Sequence, residues 1–169
     1  MEDLTAVKNM VSTLAKDLSI PVTCKIRVFP QDEPGGKEKT LQYAKMLQDS
    51  GCSLLAVHGR TRDQKRCKEI RADWNIIKAV KEHLDIPVLA NGDIRHLGDA
   101  KRCLELTGCD GVLSAEPLLT NPALFSGQNP PVWQMCEEYL DLAEKYPCPL
   151  SYSRGHMFKI LHHVLQERN

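Results

Sequence analysis

Four short apolar segments of the chain carry or end in polar residues that could bind a ligand. Lys25 and Arg27 lie within the first segment, VTCKIRV, and the second ends in His58-Gly59-Arg60. The third ends in Asn91-Gly92-Asp93 and the fourth in Ser114-Ala115-Glu116. Cations, an imidazole and amide groups suit an anionic or electron-rich ligand, and glycine lets such a ligand approach the backbone.

The first segment predicts the direction of its two cations. Successive side chains of a strand face opposite ways, so the apolar residues of this segment share one face while Lys25 and Arg27 share the other. We expect the apolar face to pack on helices and the cations to point into a barrel or cleft, where a buried charge needs a partner. The alternatives are a structural Lys25–Asp93 ion pair, a structural His58 and a plain turn at Asn91-Gly92.

Four repeats of a helix followed by a strand must position these residues. The predicted helices cover residues 6–18, 40–49, 74–84 and 98–106, and the predicted strands cover residues 22–28, 53–58, 86–90 and 111–115. The strands are apolar with little alternation, which is typical of a parallel sheet covered by helices. In such α/β folds ligands bind at the carboxyl ends of the strands, where these polar residues lie.

The pattern changes in the last third of the chain. Pro130-Pro131 marks a boundary, and two helices are predicted over residues 132–146 and 152–166 with no strand after them. We therefore predict an α/β part over residues 1–127 and a helical part over residues 128–169.

Composition restricts the class of protein. Of 169 residues, 42% are hydrophobic and 26% are charged, which is typical of a globular chain and not of a disordered one. The 22 basic and 22 acidic side chains give a formal net charge of zero, so any nucleic-acid contact must be local. No apolar run approaches the roughly 20 residues of a membrane span, and we expect neither a membrane segment nor a secretory signal in the first ten residues.

The seven cysteines do not have the spacing of a metal site. None forms a Cys-x-x-Cys pair, and no histidine lies at metal-ligand spacing from them. Most lie in apolar runs, where a free cysteine packs as a small hydrophobic residue. We therefore expect no metal and reduced thiols in a protein of the cytoplasm, with the nucleus as a second location. A disulfide framework or a zinc site is the alternative.

Five segments in combination resemble a known enzyme family. They are CKIRVFP, VHGRTRDQK, IPVLANGDI, GVLSAEPLLTNPALF and PCPLSYSRGHMFKILHH. Over residues 6–163 the chain is similar to the flavin-dependent tRNA dihydrouridine synthases, and most similar to the eukaryotic dihydrouridine synthase 1-like branch. The resemblance implies the second half of a TIM barrel that carries FMN, followed by the start of a helical RNA-binding domain. It also implies reduction of the C5–C6 double bond of a uridine in tRNA, with NADPH reducing the flavin.

The resemblance also implies roles for single residues. Lys25 would lie beside N1 and O2 of the flavin, where a cation stabilises the anionic reduced form. His58 would contact the flavin or its phosphate side, and Asn91-Gly92-Asp93 would line the ribityl and phosphate region. Backbone N–H groups of Ser114-Ala115-Glu116 would hold the phosphate ahead of a helical turn.

Two departures from the family pattern matter. Many relatives have Gly-Arg where this chain has Ala115-Glu116, and Pro117 lacks an N–H, so other backbone donors or Arg60 would have to bind the phosphate. The first half of the barrel is missing, and with it the Gly-Cys-Pro motif whose cysteine is the family's general acid. Cys24 and Cys52 do not stand in that context. We therefore assign no catalytic residue and expect a fragment, a short splice product or an incomplete gene model that is inactive alone.

Two basic patches are candidates for tRNA contact. The loop over residues 60–71 has six basic residues against two acidic ones, and solvated surface charge is the alternative to phosphate contact. The RNA-binding candidates are Arg60, Arg62, Lys65 and Arg66 in this loop, and Arg154 and Lys159 in the last predicted helix. The competing functions are a non-catalytic RNA-binding or regulatory fragment and an FMN half barrel that acts on small molecules. The segment PCPLSYSRGHMFKILHH argues against the latter.

Overall fold

A computed structural model of the chain describes residues 3–32, 34–66 and 70–166. Its helices are α1 (Leu4–Asp17), α2 (Gly36–Asp49), α3 (Trp74–His83), α4 (Leu97–Thr107), α5 (Glu116–Thr120), α6 (Val132–Lys145), α7 (Leu150–Ile160) and α8 (His162–Gln166). Its strands are β1 (Thr23–Arg27), β2 (Leu54–His58), β3 (Val88–Asn91) and β4 (Gly111–Leu113). Short 3₁₀ helices cover Asp63–Arg66 and Leu124–Ser126.

The described residues divide into two compact units. The first contains the residues up to Ile94 together with Asp99–Leu113, and the second contains Arg95–Gly98 and the residues from Ser114 onward. The boundary that we predict after residue 127 falls inside the second unit. The assignment of the two parts to separate domains stays a prediction.

The first unit is built on a parallel sheet in the order β1-β2-β3-β4. The register places Arg27 beside His58, His58 beside Asn91, and Asn91 beside Leu113. These residues therefore form one row across the carboxyl ends of the strands. This confirms the predicted α/β class with a parallel sheet and covering helices, and it explains why polar residues far apart in sequence meet at one edge.

The core of the first unit lies between the sheet and its helices. Its fully buried side chains include Leu47, Leu55, Ile77, Val80 and Val88. Ile26 on β1 and Val28 directly after it are buried in this core, as the alternation predicts. The same alternation turns Lys25 away from the core, and its position departs from the prediction, as described below.

The ends of some helices differ from the predicted ends, because the sequence there has no pattern that indicates where a helix begins or ends. α2 begins at Gly36 and not at Thr40, because residues 36–39 contain no apolar side chain that would reveal a helical period. Asp73 caps α3 by accepting hydrogen bonds from the N–H groups of Asn75 (2.8 Å) and Ile76 (3.4 Å). The single helix predicted over residues 152–166 is two helices, which separate at Leu161.

The second unit contains α5 to α8 and the residues just before α4. Its small core consists of Met135 and Cys136 on α6 and Ile160 on α7, with partly buried apolar side chains around them. Within the part of the chain that the structure describes, no helix is both long enough and apolar enough to cross a membrane. The six described cysteines are free, and Cys67 lies outside the described residues.

Candidate functional site

The candidate site lies at the carboxyl ends of β1, β2 and β3. We call it the edge site and define it by Lys25, Arg27, His58, Arg60, Asn91, Gly92 and Asp93. The backbone joins its strands, since the N–H of Val28 donates to the carbonyl of His58 (3.3 Å) and the N–H of Gly59 donates to the carbonyl of Asn91 (3.1 Å). The side chain of Asn91 donates to the carbonyl of Leu113 (3.0 Å), so its amide nitrogen holds β4 in place.

His58 lies at the centre of the row with one ring nitrogen unsatisfied. Its Nε2 is buried and has no hydrogen-bond partner among the described residues. Burial, followed by the charges of Arg27, Lys25 and Arg60, lowers the pKa of His58 to about 4, while the charge of Asp93 opposes this shift. The imidazole is therefore neutral at pH 7, and within the described part of the chain its Nε2 is left without a hydrogen bond.

Arg60 and Asp93 form an ion pair that joins the loops after β2 and β3. A terminal nitrogen of Arg60 lies 2.7 Å from Oδ1 of Asp93, and the two side chains are 16% and 8% exposed. Oδ2 of Asp93 accepts a hydrogen bond from the N–H of Ala72 (2.6 Å). The partner of Asp93 is thus Arg60, which replaces the Lys25–Asp93 pair considered from the sequence. The Nε of Arg60 is buried without a hydrogen-bond partner among the described residues.

Arg27 is held by the loop that follows β2. Its Nη1 donates to the carbonyl of Thr61 (2.9 Å), and the buried Thr61 is itself fixed because its N–H donates to Oε1 of Gln64 (2.9 Å). Desolvation and the charge of Arg60 lower the pKa of Arg27. The loop therefore keeps two guanidinium groups close to His58.

Lys25 departs from the prediction that it is buried. It lies on the same side of β1 as Arg27, but it is exposed. The physical reason is that β1 is the first strand of a four-stranded sheet, and in the described chain nothing closes over this side chain. Partial desolvation, followed by the charge of Arg27, still lowers the pKa of Lys25.

The loop after β3 packs directly on His58 because residue 92 is glycine. Gly92 has φ +115°, and a Cβ atom there would lie 2.6 Å from the Cβ of Ala72 and 2.9 Å from Cδ2 of His58. Its carbonyl accepts a hydrogen bond from Nε1 of Trp74 (3.1 Å). Asp93 follows with φ +59°, a left-handed conformation that is uncommon for a residue with a side chain.

Sequence reasoning missed Thr61, Ala72 and Trp74, which hold the edge site by backbone atoms or an indole N–H. A hydrogen bond donated by a backbone N–H, such as that of Ala72, cannot be predicted from the type of the residue. The only available signal was the position of Trp74, since it opens a helix directly after the capping residue Asp73.

The fourth predicted group belongs to the second unit and is described by itself. Ala115 precedes the five-residue helix α5, which begins at Glu116 and has Pro117 in its first turn. Ala115 and Glu116 are exposed and Ser114 is half-buried. The role of these residues in binding a phosphate stays a prediction.

The predicted RNA-binding residues occupy several places. Arg60 belongs to the edge site, and Arg62 is exposed in the loop after β2. Lys65 and Arg66 lie in the 3₁₀ helix of that loop, and their side chains are outside the described part of the structure. Arg154 and Lys159 are both exposed on α7.

The edge site fits a ligand that carries acceptor oxygen atoms. Two buried nitrogens, Nε2 of His58 and Nε of Arg60, are unsatisfied among the described residues, and a buried polar group without a partner is costly. Lys25 and Arg27 add positive charge close to His58. FMN, which the resemblance implies, has carbonyl oxygens and a phosphate, so the donor set agrees with it.

Comparison with known proteins identifies the family. The family model for dihydrouridine synthase (Dus) matches residues 1–169. The tRNA-dihydrouridine(16/17) synthase-like protein of Rattus norvegicus is 51% identical over 165 residues, which cover 98% of this chain and 36% of the rat protein. The tRNA-dihydrouridine(16/17) synthase of Schizosaccharomyces pombe is 40% identical over 178 residues, which cover 97% of this chain and 43% of the yeast protein.

One solved structure supports the fold alone. A candidate phosphonomutase from Burkholderia cenocepacia J2315 superimposes with a TM-score of 0.56 at 14% identity, covering 78% of this chain and 60% of that one. The chain spans less than half the length of the two relatives above. From the match of the family model over its full length, the chain belongs to the dihydrouridine synthase family.

Proposed function

We propose that this chain is part of an FMN- and NADPH-dependent enzyme that reduces uridine to 5,6-dihydrouridine in tRNA. The observation that carries the proposal is the pair of unsatisfied buried nitrogens on His58 and Arg60, set among cations at the strand ends. The names of the rat and yeast relatives, which specify NAD(P) and tRNA-dihydrouridine, support the same reaction. In this proposal the α/β unit is the second half of a TIM barrel, and residues 128–169 begin a helical RNA-binding domain.

The edge-site residues would bind and orient FMN. When bound and reduced by NADPH, FMN would supply the hydride for the uracil ring. Lys25 would place a positive charge at the pyrimidine edge of the flavin. His58, neutral because its pKa is about 4, would offer one hydrogen bond through Nε2 without adding charge. Arg60 would offer its Nε while Asp93 holds its other end.

These 169 residues would not complete the reaction without further groups. Protonation of the uracil ring needs a general acid, and none of the seven cysteines stands in a Gly-Cys-Pro context. Burial raises the pKa of Cys24 to about 12, so its thiol does not release a proton at neutral pH. We therefore propose that this chain binds FMN and tRNA but does not catalyse the reduction of uridine alone. We also propose that it is located in the cytoplasm and nucleus.

Titration of the 169-residue chain with FMN tests the proposal. We expect the visible absorbance of the flavin to remain with the protein when unbound FMN is removed. His58→Ala should weaken FMN binding by about tenfold, because one hydrogen bond to a charged or polar ligand is lost. His83→Ala, an exposed histidine at the end of α3, is the matched control. Folded protein that binds no FMN, or equal affinities for both variants, would contradict the proposal.

A non-catalytic RNA-binding fragment is the second candidate. It is favoured by the exposed cations Arg154 and Lys159 on α7. Gel-shift measurements with tRNA separate the two candidates. Colourless protein that binds tRNA supports the fragment, whereas protein that binds both FMN and tRNA supports the enzyme.

A further inference from the structure

The second unit contains a cavity that the edge site does not use. We call it the α6 cavity; its volume is about 830 Å³. Its walls come from residues 95–97, α5, the loop between α5 and α6, the first turn of α6 and one residue of α7. A cavity of this volume accommodates one or two nucleotides. It is too small for a double helix.

The lining of the α6 cavity is positively charged or neutral. Arg95 and His96 lie on one wall and are exposed, and Gln128 and Asn129 contribute amide groups. None of its sixteen lining residues, all of which belong to the described chain, is aspartate or glutamate. In a chain with as many acidic as basic side chains, this local bias favours an anionic occupant.

An exposed tryptophan lies on the wall formed by α6. Trp133 is 69% exposed, whereas Met135 and Ile160, which also line the cavity, are 6% and 3% exposed. Tryptophan is normally among the more buried residues on average, so a ring left open beside a cavity is available for stacking. Base stacking on an aromatic side chain is the common way in which proteins bind single-stranded RNA.

We propose that the α6 cavity binds a nucleotide of single-stranded RNA. Its base stacks on Trp133, and its phosphate lies near Arg95 and His96. The combination of an aromatic face with an arginine and no acidic side chain matches a nucleotide better than an acidic peptide, which would use the arginine but not the ring. The proposal rests on the proposed function in one respect: the RNA in question is an unpaired segment of tRNA.

Fluorescence of Trp133 tests the proposal directly. The chain has two tryptophans, and the other, Trp74, is half-buried in the first unit and bonded to the carbonyl of Gly92. We expect a six-nucleotide single-stranded oligouridylate to quench the fluorescence of the 169-residue chain. The quenching of tryptophan fluorescence should disappear in Trp133→Phe, which keeps an aromatic ring and leaves Trp74 as the only tryptophan.

Affinities measured by a labelled oligouridylate add a second readout. Trp133→Ala should weaken binding by about tenfold or more, because a stacked base contributes roughly 1–3 kcal/mol. Tyr152→Ala is the matched control, since Tyr152 is 70% exposed on α7 and does not line the cavity. Arg95→Gln should weaken binding and reduce the salt slope by about one, whereas Lys101→Gln on α4 should do neither.

Each outcome decides the proposal. Equal affinities for Trp133→Ala and Tyr152→Ala, no quenching, or equal binding of a duplex of the same length would overturn it. If FMN and tRNA bind the chain but Trp133→Ala has no effect, this inference fails and the proposed function stands. If FMN does not bind and the oligouridylate still quenches Trp133, the proposed function fails and the RNA site stands. Thermal melts by circular dichroism confirm that each variant is folded.

Discussion

A terminal nitrogen of Arg60 lies 2.7 Å from Oδ1 of Asp93, and through this pair the loop after β2 is tied to the loop after β3. The second carboxylate oxygen of Asp93 accepts a hydrogen bond from the N–H of Ala72. One acidic side chain thus holds both ends of the connection between β2 and α3 against the loop after β3. Because the pair is largely removed from solvent, loss of one partner leaves the other charge buried and uncompensated.

We expect Asp93→Ala to lower the free energy of unfolding by about 3 kcal/mol, the usual cost of breaking a buried pair. Alanine also tolerates the left-handed φ of +59° poorly. Asp93→Asn also removes the charge, but it keeps an acceptor oxygen and adopts this conformation readily, so it should be destabilised less than Asp93→Ala. Urea unfolding measures both variants. If Asp93→Ala is as stable as Asp93→Asn and the unchanged chain, the ion pair does not hold the loops.

His58 should remain neutral down to about pH 4. The unfolded chain protonates this residue near its ordinary pKa of about 6.5, so the unfolded state binds more protons between the two values. Stability should therefore decrease as the pH falls from about 6.5 to about 4. Titration of the His58 imidazole by NMR measures the midpoint directly. A midpoint at the ordinary value would contradict the burial and the positive surroundings described above.

Removal of one nearby charge tests the electrostatic part of this pKa shift. Arg27→Gln should raise the midpoint of His58, because Arg27 is the largest charge effect on it after desolvation. The midpoint should still stay below the ordinary value, since burial remains. Lys78→Gln, on the exposed side of α3, serves as the control and should leave the midpoint unchanged.

Two glycine-to-alanine substitutions should have opposite effects on stability. Gly92→Ala places a Cβ 2.6 Å from Ala72 at a φ of +115°, so we expect destabilisation of more than about 1 kcal/mol and weaker FMN binding. Gly155→Ala, within α7 and with no atom close to the added Cβ, should stabilise by about 0.5–1 kcal/mol. Denaturant midpoints measure both. Tolerance of alanine at position 92 would show that the close packing on His58 is dispensable.

Charge reversal on α7 tests the predicted tRNA contact. Arg154→Glu with Lys159→Glu should weaken tRNA binding and flatten its salt dependence by about two units of slope, since each phosphate contact contributes about 0.9. Binding at two or more salt concentrations gives the slope. Lys101→Glu, an exposed cation on α4, controls for net charge. An unchanged slope in the double variant would remove α7 from the RNA-binding surface.

The sheet and the row of residues at its edge were predictable from sequence. The apolar runs of β1 to β4 and the helical periods between them are local patterns, and in a parallel sheet such strands bring their carboxyl ends together. For this reason His58 and Asn91 could be expected to be neighbours before their register was known.

The partners within the edge site could not be predicted in the same way. Lys25 was the only partner considered for Asp93, and the pairing with Arg60 depends on the path of the loop after β2, which has no periodic pattern. The exposure of Lys25 depends on what lies beyond β1, which is a tertiary property. The separation of α7 from α8 at Leu161 was hidden because the helical period continues across it.

The contact of Gly92 with Ala72 and His58 has an evolutionary consequence. The three residues touch so closely that a larger side chain at position 92 or 72 requires a compensating change at one of the other two. In related sequences, a change at one of these positions should therefore be accompanied by a change at another. This is expected although Gly92 lies 20 positions after Ala72, and Ala72 lies 14 positions after His58. We therefore expect the loops that carry these residues to be exchangeable between relatives only together.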